Sequence, residues 1–274
     1  MARRMGSEPH SMKGINKYGF TLTDEQIAAG EHRGKVGRAW EHTGRLQHEF
    51  LVARGMTPSS SLLDVGCGAL RAGIVIAGYL EPGRYYGIDV NESLIRAALV
   101  HELPLAGLED RVPAENLRVT DRFECDFGIP FDFAIAQSVF THLPLNHIRL
   151  CLFQLSRVMA PGGRFFATFF EAPPDTPYDR RVKQVVRRTW PERDPYHYRR
   201  ADLRWAAETV ADWDVRYIGD WGHPRGQVMM EYTLRSRDLP GGSLGERVQS
   251  RAATLRRRAR SARARLSRRV RARR

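Results

Sequence analysis

Short apolar runs alternate with amphipathic segments along most of this chain. The runs lack the strict alternation of half-exposed strands, so we expect strands that are buried on both faces of a parallel sheet. They span residues 62–65, 85–88, 117–120, 131–136 and 164–170. Predicted helices between them span 72–80, 92–102 and 146–159. Repeated strand-helix units of this kind predict right-handed crossovers, which place helices on both faces of the sheet.

The pattern changes near the C-terminal end of the core. A helix predicted over 201–211 is followed by two more apolar runs, 213–221 and 227–234. The turn-forming sequence His-Pro-Arg-Gly at 223–226 separates these runs, so we predict an antiparallel hairpin. The chain is therefore predicted to have an α/β, Rossmann-like fold with a mostly parallel, seven-stranded sheet.

The N-terminal region has weaker signals. Thr23, followed by Asp24 and Glu25, is typical of a helix N-cap, and apolar spacing predicts a further helix over 40–54. Glycines at 30, 34, 37 and 44 weaken helicity, which fits a mobile lid as well as a rigid helix. We predict an N-terminal segment over 1–39 that includes such a lid, a main domain over 40–237 and a basic tail over 238–274.

Two insertions interrupt the strand-helix pattern, at 103–115 and 172–198. The longer one is rich in proline, arginine and aromatic residues and follows the strand predicted over 164–170. It therefore leaves the sheet at the carboxyl edge, where open α/β folds bind their ligands. We expect this insertion to lie over the functional site.

The positive charge is concentrated in the tail. The net charge is +13, but residues 251–274 contain twelve arginines and no lysine or acid, which leaves residues 1–250 at +1. A thin seam of Val, Ala and Leu runs along this segment at helical spacing. The tail is predicted to bind an anionic membrane surface or nucleic acid by charge, or to be merely solvated.

Composition also limits the cellular setting. Cys67, Cys125 and Cys151 are widely spaced and contain no paired motif, so neither a disulfide framework nor a metal site is predicted. No run of eighteen apolar residues occurs, so we expect no transmembrane segment. These features favour a cytoplasmic protein, peripheral at the inner face of the membrane where the tail binds lipid.

The strongest local motif is the strand Leu62–Val65 followed by Gly66-Cys67-Gly68 and a predicted helix. Glycine lacks a Cβ, so it adopts positive φ and lets a ligand approach the backbone closely at a helix N-terminus. Asp89 ends the next strand, near the distance at which a carboxylate accepts hydrogen bonds from a ribose diol, and Val90 would flank a base. The alternative interpretation is that these residues only form a tight strand-to-helix turn and bind no ligand.

A dinucleotide fingerprint requires a third glycine where Arg71 stands, which disfavours NAD. The sequence instead resembles the class I S-adenosylmethionine-dependent methyltransferase family over roughly residues 40–235. The resemblance is carried by DVGCG, the acid at Asp89, FDFAIAQSVFTHL and LSRVMAPGGRFFATF. It implies S-adenosyl-L-methionine as the cofactor.

The resemblance also implies roles for single residues. Asp64, Gly66 and Gly68 correspond to the first cofactor motif, with Cys67 as a small apolar residue between the glycines. Asp89 corresponds to the ribose acid. Asp121 corresponds to the residue near the adenine amine, in competition with Asp126 of the same loop.

The strand predicted over 131–136 continues into Gln137 and a short segment that ends at His142, which we expect to face the transferred methyl group. An Asn/Asp-Pro-Pro-aromatic run, typical of amino-nitrogen methylation, is absent from this position. His142 is a candidate general base for a hydroxyl acceptor, although a packing or capping role is the alternative. Arg225 in the predicted hairpin turn either binds an anionic acceptor or the cofactor carboxylate, or is solvated.

Three functions fit these features. The first is methylation of a hydroxyl on a small molecule or carbohydrate. The second is methylation of RNA or DNA, with recruitment by the basic tail and the basic stretch at 180–188. The third is a non-catalytic protein that keeps the fold and uses the tail as a tether.

Overall fold

The computed structural model describes residues 18–37 and 40–235, so the predicted tail at 238–274 lies outside the described residues. The strands are β1 (Leu62–Val65), β2 (Tyr85–Asp89), β3 (Leu117–Val119), β4 (Phe131–Ala136), β5 (Met159–Glu171), β6 (Val182–Lys183), β7 (Arg188–Thr189), β8 (His197–Tyr198), β9 (Trp213–Gly219) and β10 (Val228–Leu234). All seven predicted strands are present, and two of them have the predicted limits.

The main sheet has the strand order β3-β2-β1-β4-β5-β10-β9. The pairs from β3 to β5 are parallel, whereas β10 pairs antiparallel with both β5 and β9. This arrangement confirms the predicted α/β fold and its terminal antiparallel hairpin. The order reverses between β1 and β4, which is where open α/β sheets form a ligand crevice.

The sheet has eight strands and not the predicted seven, because the long insertion adds β8. This two-residue strand pairs parallel with the end of β5, through Phe170 with His197 and Glu171 with Tyr198. Within the same insertion, β6 and β7 form a separate antiparallel ribbon. Pattern analysis missed these elements because each is only two residues long, too short to show a period.

The helices surround the sheet. They are α1 (Asp24–Ala28), α2 (His32–Lys35), α3 (Trp40–Ala53), α4 (Gly73–Tyr79), α5 (Glu92–Ala97), a π-helical turn (Ala98–Glu102), α6 (Leu103–Ala106), α7 (Leu145–Val158), α8 (Arg200–Glu208) and two 3₁₀ turns (Ala114–Asn116 and Phe140–His142). The predicted helix over 92–102 is thus α-helical only in its first half. None of the helices among the described residues is long and apolar enough to cross a membrane.

Two apolar clusters lie on opposite faces of the sheet. One contains Leu152 of α7 and Leu203 of α8, and the other contains Leu51 of α3 and Ile76 of α4; all four are fully buried. The central strands contribute to both clusters because alternate residues point to opposite faces. Burial on both faces explains the continuous apolar runs and confirms helices on both sides.

Helix α3 is continuous through Gly44. A Cβ at Gly44 would lie 2.5 Å from the carbonyl oxygen of Arg71, in the loop that follows β1. This glycine therefore permits close packing of α3 against that loop. The sequence fitted either a mobile lid or a rigid helix in the glycine-rich region. From residue 40 onward, the structure has the helix.

The described part of the N-terminal segment is bound to α5. Asn91 donates to the carbonyl oxygens of Tyr18 and Phe20 at 2.9 and 2.8 Å, and Thr23 forms the predicted N-cap of α1. Leu22 and Ile27 are buried against the body. Residues 18–27 therefore pack on the helix that follows Asp89.

A buried carboxylate holds α2 to the π-helical turn. Glu102 accepts hydrogen bonds from Arg33 at 2.7 and 2.8 Å and from His32 at 2.5 Å. Burial raises the pKa of the Glu102 carboxyl, but the hydrogen bonds from Arg33 and His32 outweigh burial, so the pKa is below its usual value of 4.5. The bond network therefore favours the charged carboxylate.

Glu102→Gln is expected to lower the free energy of unfolding by about 3 kcal/mol at pH 7, because it removes one partner from a buried pair. A carboxyl whose pKa is lowered in the folded state stabilises above its unfolded pKa and loses that effect as the pH falls. The difference from wild type should therefore shrink below pH 4. Urea unfolding at pH 7 and pH 3.5 measures both effects, and Glu92→Gln, on the exposed start of α5, is the control. Equal stability of Glu102→Gln and wild type at pH 7 would contradict this account.

Candidate functional site

A cleft of about 850 Å³, counted with its open mouth, lies at the carboxyl ends of the parallel strands. Its wall includes seven predicted cofactor residues and the predicted base: Gly66, Cys67, Gly68, Asp89, Val90, Asp121, Gln137 and His142. The cleft lies where the strand order reverses, so topology and local motifs indicate the same place.

The glycine turn after β1 forms one wall of the cleft. Gly66 and Gly68 have φ values of +73° and +56°, in the left-handed region that favours glycine. A Cβ at Gly66 would lie 2.5 Å from Cγ2 of Val139, and one at Gly68 would lie 3.1 Å from Cγ1 of Val36. Both glycines are therefore required by conformation and by space.

Asp89 ends β2 beside this turn. One carboxylate oxygen accepts from the Gly68 amide and the other from the Asn91 amide, each at 2.8 Å. Burial raises the pKa of Asp89, while these amide bonds act in the opposite direction. Each carboxylate oxygen accepts more than one hydrogen bond, so the fixed carboxylate keeps acceptor capacity toward the cleft.

Asp64 was expected among the cofactor-binding residues, but the structure places it outside the cleft wall. Its side chain is buried and accepts from the hydroxyl of Tyr85 at 2.7 Å. Burial raises the pKa of Asp64 to about 6, although the hydrogen bond from Tyr85 acts in the opposite direction. Asp64 is the third residue of β1 and precedes the glycine turn, so the structure gives it a supporting position beneath that turn.

The structure separates the two acids that competed for the base-binding position. Asp121 lines the cleft next to Thr120, whereas the side chain of Asp126 is exposed and accepts from the Gly128 amide at 3.0 Å. Val90 also lines the cleft, on the side of Asp89. The Cys67 thiol is buried, and burial raises its pKa well above the usual value, as suits a small apolar role.

The end of β4 forms the opposite wall. Ser138 has a φ of +61°, which is uncommon for a residue other than glycine. Its amide donates to Thr168 at 2.7 Å, and its hydroxyl donates to Gln227 at 3.0 Å and accepts from the Gln137 amide group at 2.7 Å. Side chains from β5 and the start of β10 thus hold the sharp turn that places Gln137 in the cleft.

His142 lies at the end of the following 3₁₀ turn and is paired with an acid that sequence analysis did not single out. Its Nδ1 is 2.5 Å from Oδ1 of Asp194, in the long insertion. A neutral imidazole that donates from Nδ1 has its proton-accepting nitrogen at Nε2. The insertion therefore supplies a carboxylate that orients a histidine of the cleft wall.

Arg71 and Tyr18 also line the cleft and were not predicted as site residues. Arg71 donates to the carbonyl of Val36 at 2.8 Å and to Oε1 of Gln137 at 2.6 Å, and its buried Nε has no partner among the described residues. In the sequence, Arg71 stands out only as a charged residue soon after the glycine turn. Its presence disfavoured a dinucleotide-binding motif, but no role in the site was predicted for Arg71 itself.

One cluster of potential metal ligands is relevant to the prediction that the protein has no metal site. His32, His101 and Glu102 each place a potential ligand atom within 4.8 Å of the others. The Glu102 carboxylate, however, already binds Arg33 through both oxygens and His32 through one. We therefore assign this cluster to packing of the N-terminal segment.

Comparisons with known proteins agree with the geometry. Residues 63–165 match the family model of a methyltransferase domain. An amino pentose methyltransferase from Micromonospora echinaspora, solved with S-adenosylmethionine, is 17% identical with a TM-score of 0.53, and the match covers 79% of this chain and 99% of that one. A methyltransferase from Clostridium acetobutylicum is 11% identical with a TM-score of 0.54, over 77% and 98% of the two chains.

A magnesium protoporphyrin IX methyltransferase from Synechocystis, solved with S-adenosylhomocysteine, shares the fold as well. It is 16% identical with a TM-score of 0.52, and the match covers 77% of this chain and 96% of that chain. At these identities the structural likeness establishes the fold, and the matched domain model covers the strands and loops that build the cleft.

Proposed function

We propose that this chain, a class I S-adenosylmethionine-dependent methyltransferase, transfers the methyl group to a hydroxyl of a small molecule or carbohydrate. The observation that carries the acceptor part of the proposal is the His142–Asp194 pair in the wall of the cleft. A hydroxyl oxygen must lose its proton when it is methylated, and a histidine oriented by a carboxylate is suited to accept that proton.

Residues along the cleft carry groups that suit the successive parts of the cofactor. The glycine turn leaves room for close approach of a ligand, and the Asp89 carboxylate offers acceptors to a ribose diol. Val90 and Asp121 lie on the same side and would flank the adenine. Arg71, with its unpartnered Nε, is a donor for the carboxylate of the methionine portion.

The chemistry assigns separate tasks to the two walls. When bound, S-adenosylmethionine supplies a methyl group on a cationic sulfur that leaves as a neutral thioether. Gln137 and Ser138 shape the wall near the reacting atoms and exclude water from it. His142 accepts the hydroxyl proton at Nε2, and Asp194 stabilises the resulting imidazolium.

Small acceptors are supported by the proteins that share the fold. One of them is named for an amino pentose and another for magnesium protoporphyrin IX. The RNA or DNA alternative depends on the basic tail, which lies outside the described residues, and on the stretch at 180–188. We retain electrostatic binding of the tail to an anionic surface as a secondary proposal.

The direct test uses the full chain. S-adenosylhomocysteine binding is measured by calorimetry, and transfer from methyl-labelled S-adenosylmethionine is measured on a panel of sugars, hydroxy acids and RNA. We expect micromolar binding and label in an alkali-stable ether of a hydroxyl compound. Label in RNA alone would favour the nucleic-acid alternative, and loss of cofactor binding would overturn the methyltransferase assignment.

A further inference from the structure

Three arginines next to the cleft lack acidic partners. Arg71, Arg187 and Arg225 form no salt bridge within the described residues. Among the described residues, the Nε atoms of Arg71 and Arg187 are buried and have no hydrogen-bond partner. All three residues are half-buried, and a cluster of half-buried cations without a counter-charge indicates a binding site for an anion.

The three side chains converge from different parts of the fold. A Cβ at Gly37 would lie 2.6 Å from Nη2 of Arg225 and 3.2 Å from Nη1 of Arg71, so both guanidinium groups border this glycine. Arg187 belongs to the β6–β7 ribbon of the long insertion. This ribbon touches the 223–226 turn, because a Cβ added to Gly226 would lie 2.5 Å from Cγ2 of Val185. The insertion and the terminal hairpin thus meet beside the cleft.

Burial and the positive charges of neighbouring arginines lower the pKa of Arg71, Arg225 and His223. Burial, followed by the charge of Arg225, lowers the pKa of Arg71 to about 10, and burial and Arg187 lower the pKa of Arg225. Burial and the charges of Arg225 and Arg71 lower the pKa of His223 to about 4. At neutral pH the cluster therefore has three positive charges beside a neutral histidine.

The described acids near this cluster are bound to other groups. Asp64, whose charge raises the pKa of Arg71, accepts a hydrogen bond from Tyr85. The charges of Asp89 and Asp194 raise the pKa of Tyr18, whereas those of Arg71 and Arg225 lower it. The Asp89 carboxylate, however, binds backbone amides, and the Asp194 carboxylate binds His142. The phenol of Tyr18 stays neutral, because burial raises its pKa. Both carboxylates are thus occupied elsewhere, on the proposed ribose-binding and proton-accepting sides of the cleft.

The cofactor does not neutralise the cluster either. Its amino acid end has one carboxylate and one ammonium group, and its sulfur is positive. One carboxylate satisfies Arg71, and Arg187 and Arg225 remain without an anion. A second anionic group must come from another ligand of the same site.

Resting on the proposed function, we propose that the acceptor carries an oxyanion, a carboxylate or a phosphate ester, that binds Arg187 and Arg225 while its hydroxyl faces His142. The terminal hairpin and the insertion would then select the substrate by charge. This places the substrate class among hydroxy acids and phosphorylated hydroxyl compounds, as distinct from neutral sugars.

The test uses inorganic phosphate and acetate as probes on the full chain saturated with S-adenosylhomocysteine, at constant ionic strength. Saturation fills the Arg71 position, so calorimetry reports on the other two arginines. We expect millimolar binding of at least one probe; the stronger probe identifies the oxyanion. Arg187→Gln and Arg225→Gln should each weaken it about tenfold. Arg188→Gln, an exposed neighbour on β7, is the matched control.

Affinity for S-adenosylhomocysteine in each variant serves as the folding check and should stay within about threefold of wild type. Normal cofactor binding without probe binding would overturn this proposal and leave the methyltransferase assignment intact. Equal probe binding by wild type and both variants would also overturn it. Absence of cofactor binding in wild type would overturn the proposed function and this inference together.

Discussion

Replacement of Asp89 by asparagine is expected to weaken S-adenosylhomocysteine binding about a thousandfold, the largest effect that we expect from any single substitution in the cleft. Hydrogen bonds to a charged acceptor contribute about 1.5–3 kcal/mol each, and two ribose hydroxyls would lose that acceptor. Asparagine also presents an amide N–H₂ group toward the Gly68 or Asn91 amide, which both donate to the native carboxylate. Titration calorimetry with the full chain measures the change.

The matched control is Asp126→Asn, which alters an exposed acid outside the cleft wall. Its affinity should remain within about twofold of wild type. Thermal unfolding separates loss of binding from loss of fold, since Asp89 also stabilises the turn through Gly68. A folded Asp89→Asn variant with wild-type affinity would remove Asp89 from the proposed site.

The sequence was most informative where local rules decide the outcome. Strands β1 and β4 have their predicted limits because most positions on both faces are buried, so each is an apolar run with a single aspartate. The glycine turn was predicted because close approach of a ligand to the backbone requires glycine. Asp89 was predicted because a polar residue is expected where a strand ends at a ligand site. Helix ends differed by up to three residues, and by five where the helix predicted over 92–102 becomes π-helical, because fraying and π-helical geometry leave no strong sequence signal.

The sequence was least informative where distant segments meet. Asp194 pairs with His142 across 52 positions, and nothing in the proline-rich insertion distinguishes Asp194 from its neighbouring acids. Arg71 was visible only as the residue that breaks a dinucleotide motif. Its lack of a salt bridge among the described residues and its proximity to Arg225 are tertiary facts, as is the partial burial that makes Arg225 a candidate anion ligand.

The second large effect is expected at His142, where His142→Gln should lower kcat about a hundredfold to ten-thousandfold on the labelled acceptor, because the proton acceptor is lost. Affinity for S-adenosylhomocysteine should change little, since glutamine keeps polar bulk at the cleft wall. Asp194→Asn should lower kcat by a smaller factor, about tenfold to a hundredfold, because the base remains but its tautomer is no longer fixed.

A structural role for His142 makes a different set of predictions, and this contrast decides between the two readings of that residue. If His142 only packs the 3₁₀ turn, its substitution would lower stability and cofactor affinity together and leave kcat per folded molecule unchanged. Nitrogen-15 NMR of the imidazole adds a readout that needs no acceptor: wild type should show a protonated Nδ1, and Asp194→Asn should show mixed tautomers. His147→Gln, outside the cleft wall on α7, controls for the loss of a histidine. A normal kcat in both His142→Gln and Asp194→Asn would exclude general-base catalysis by this pair, and with it the main argument for a hydroxyl acceptor.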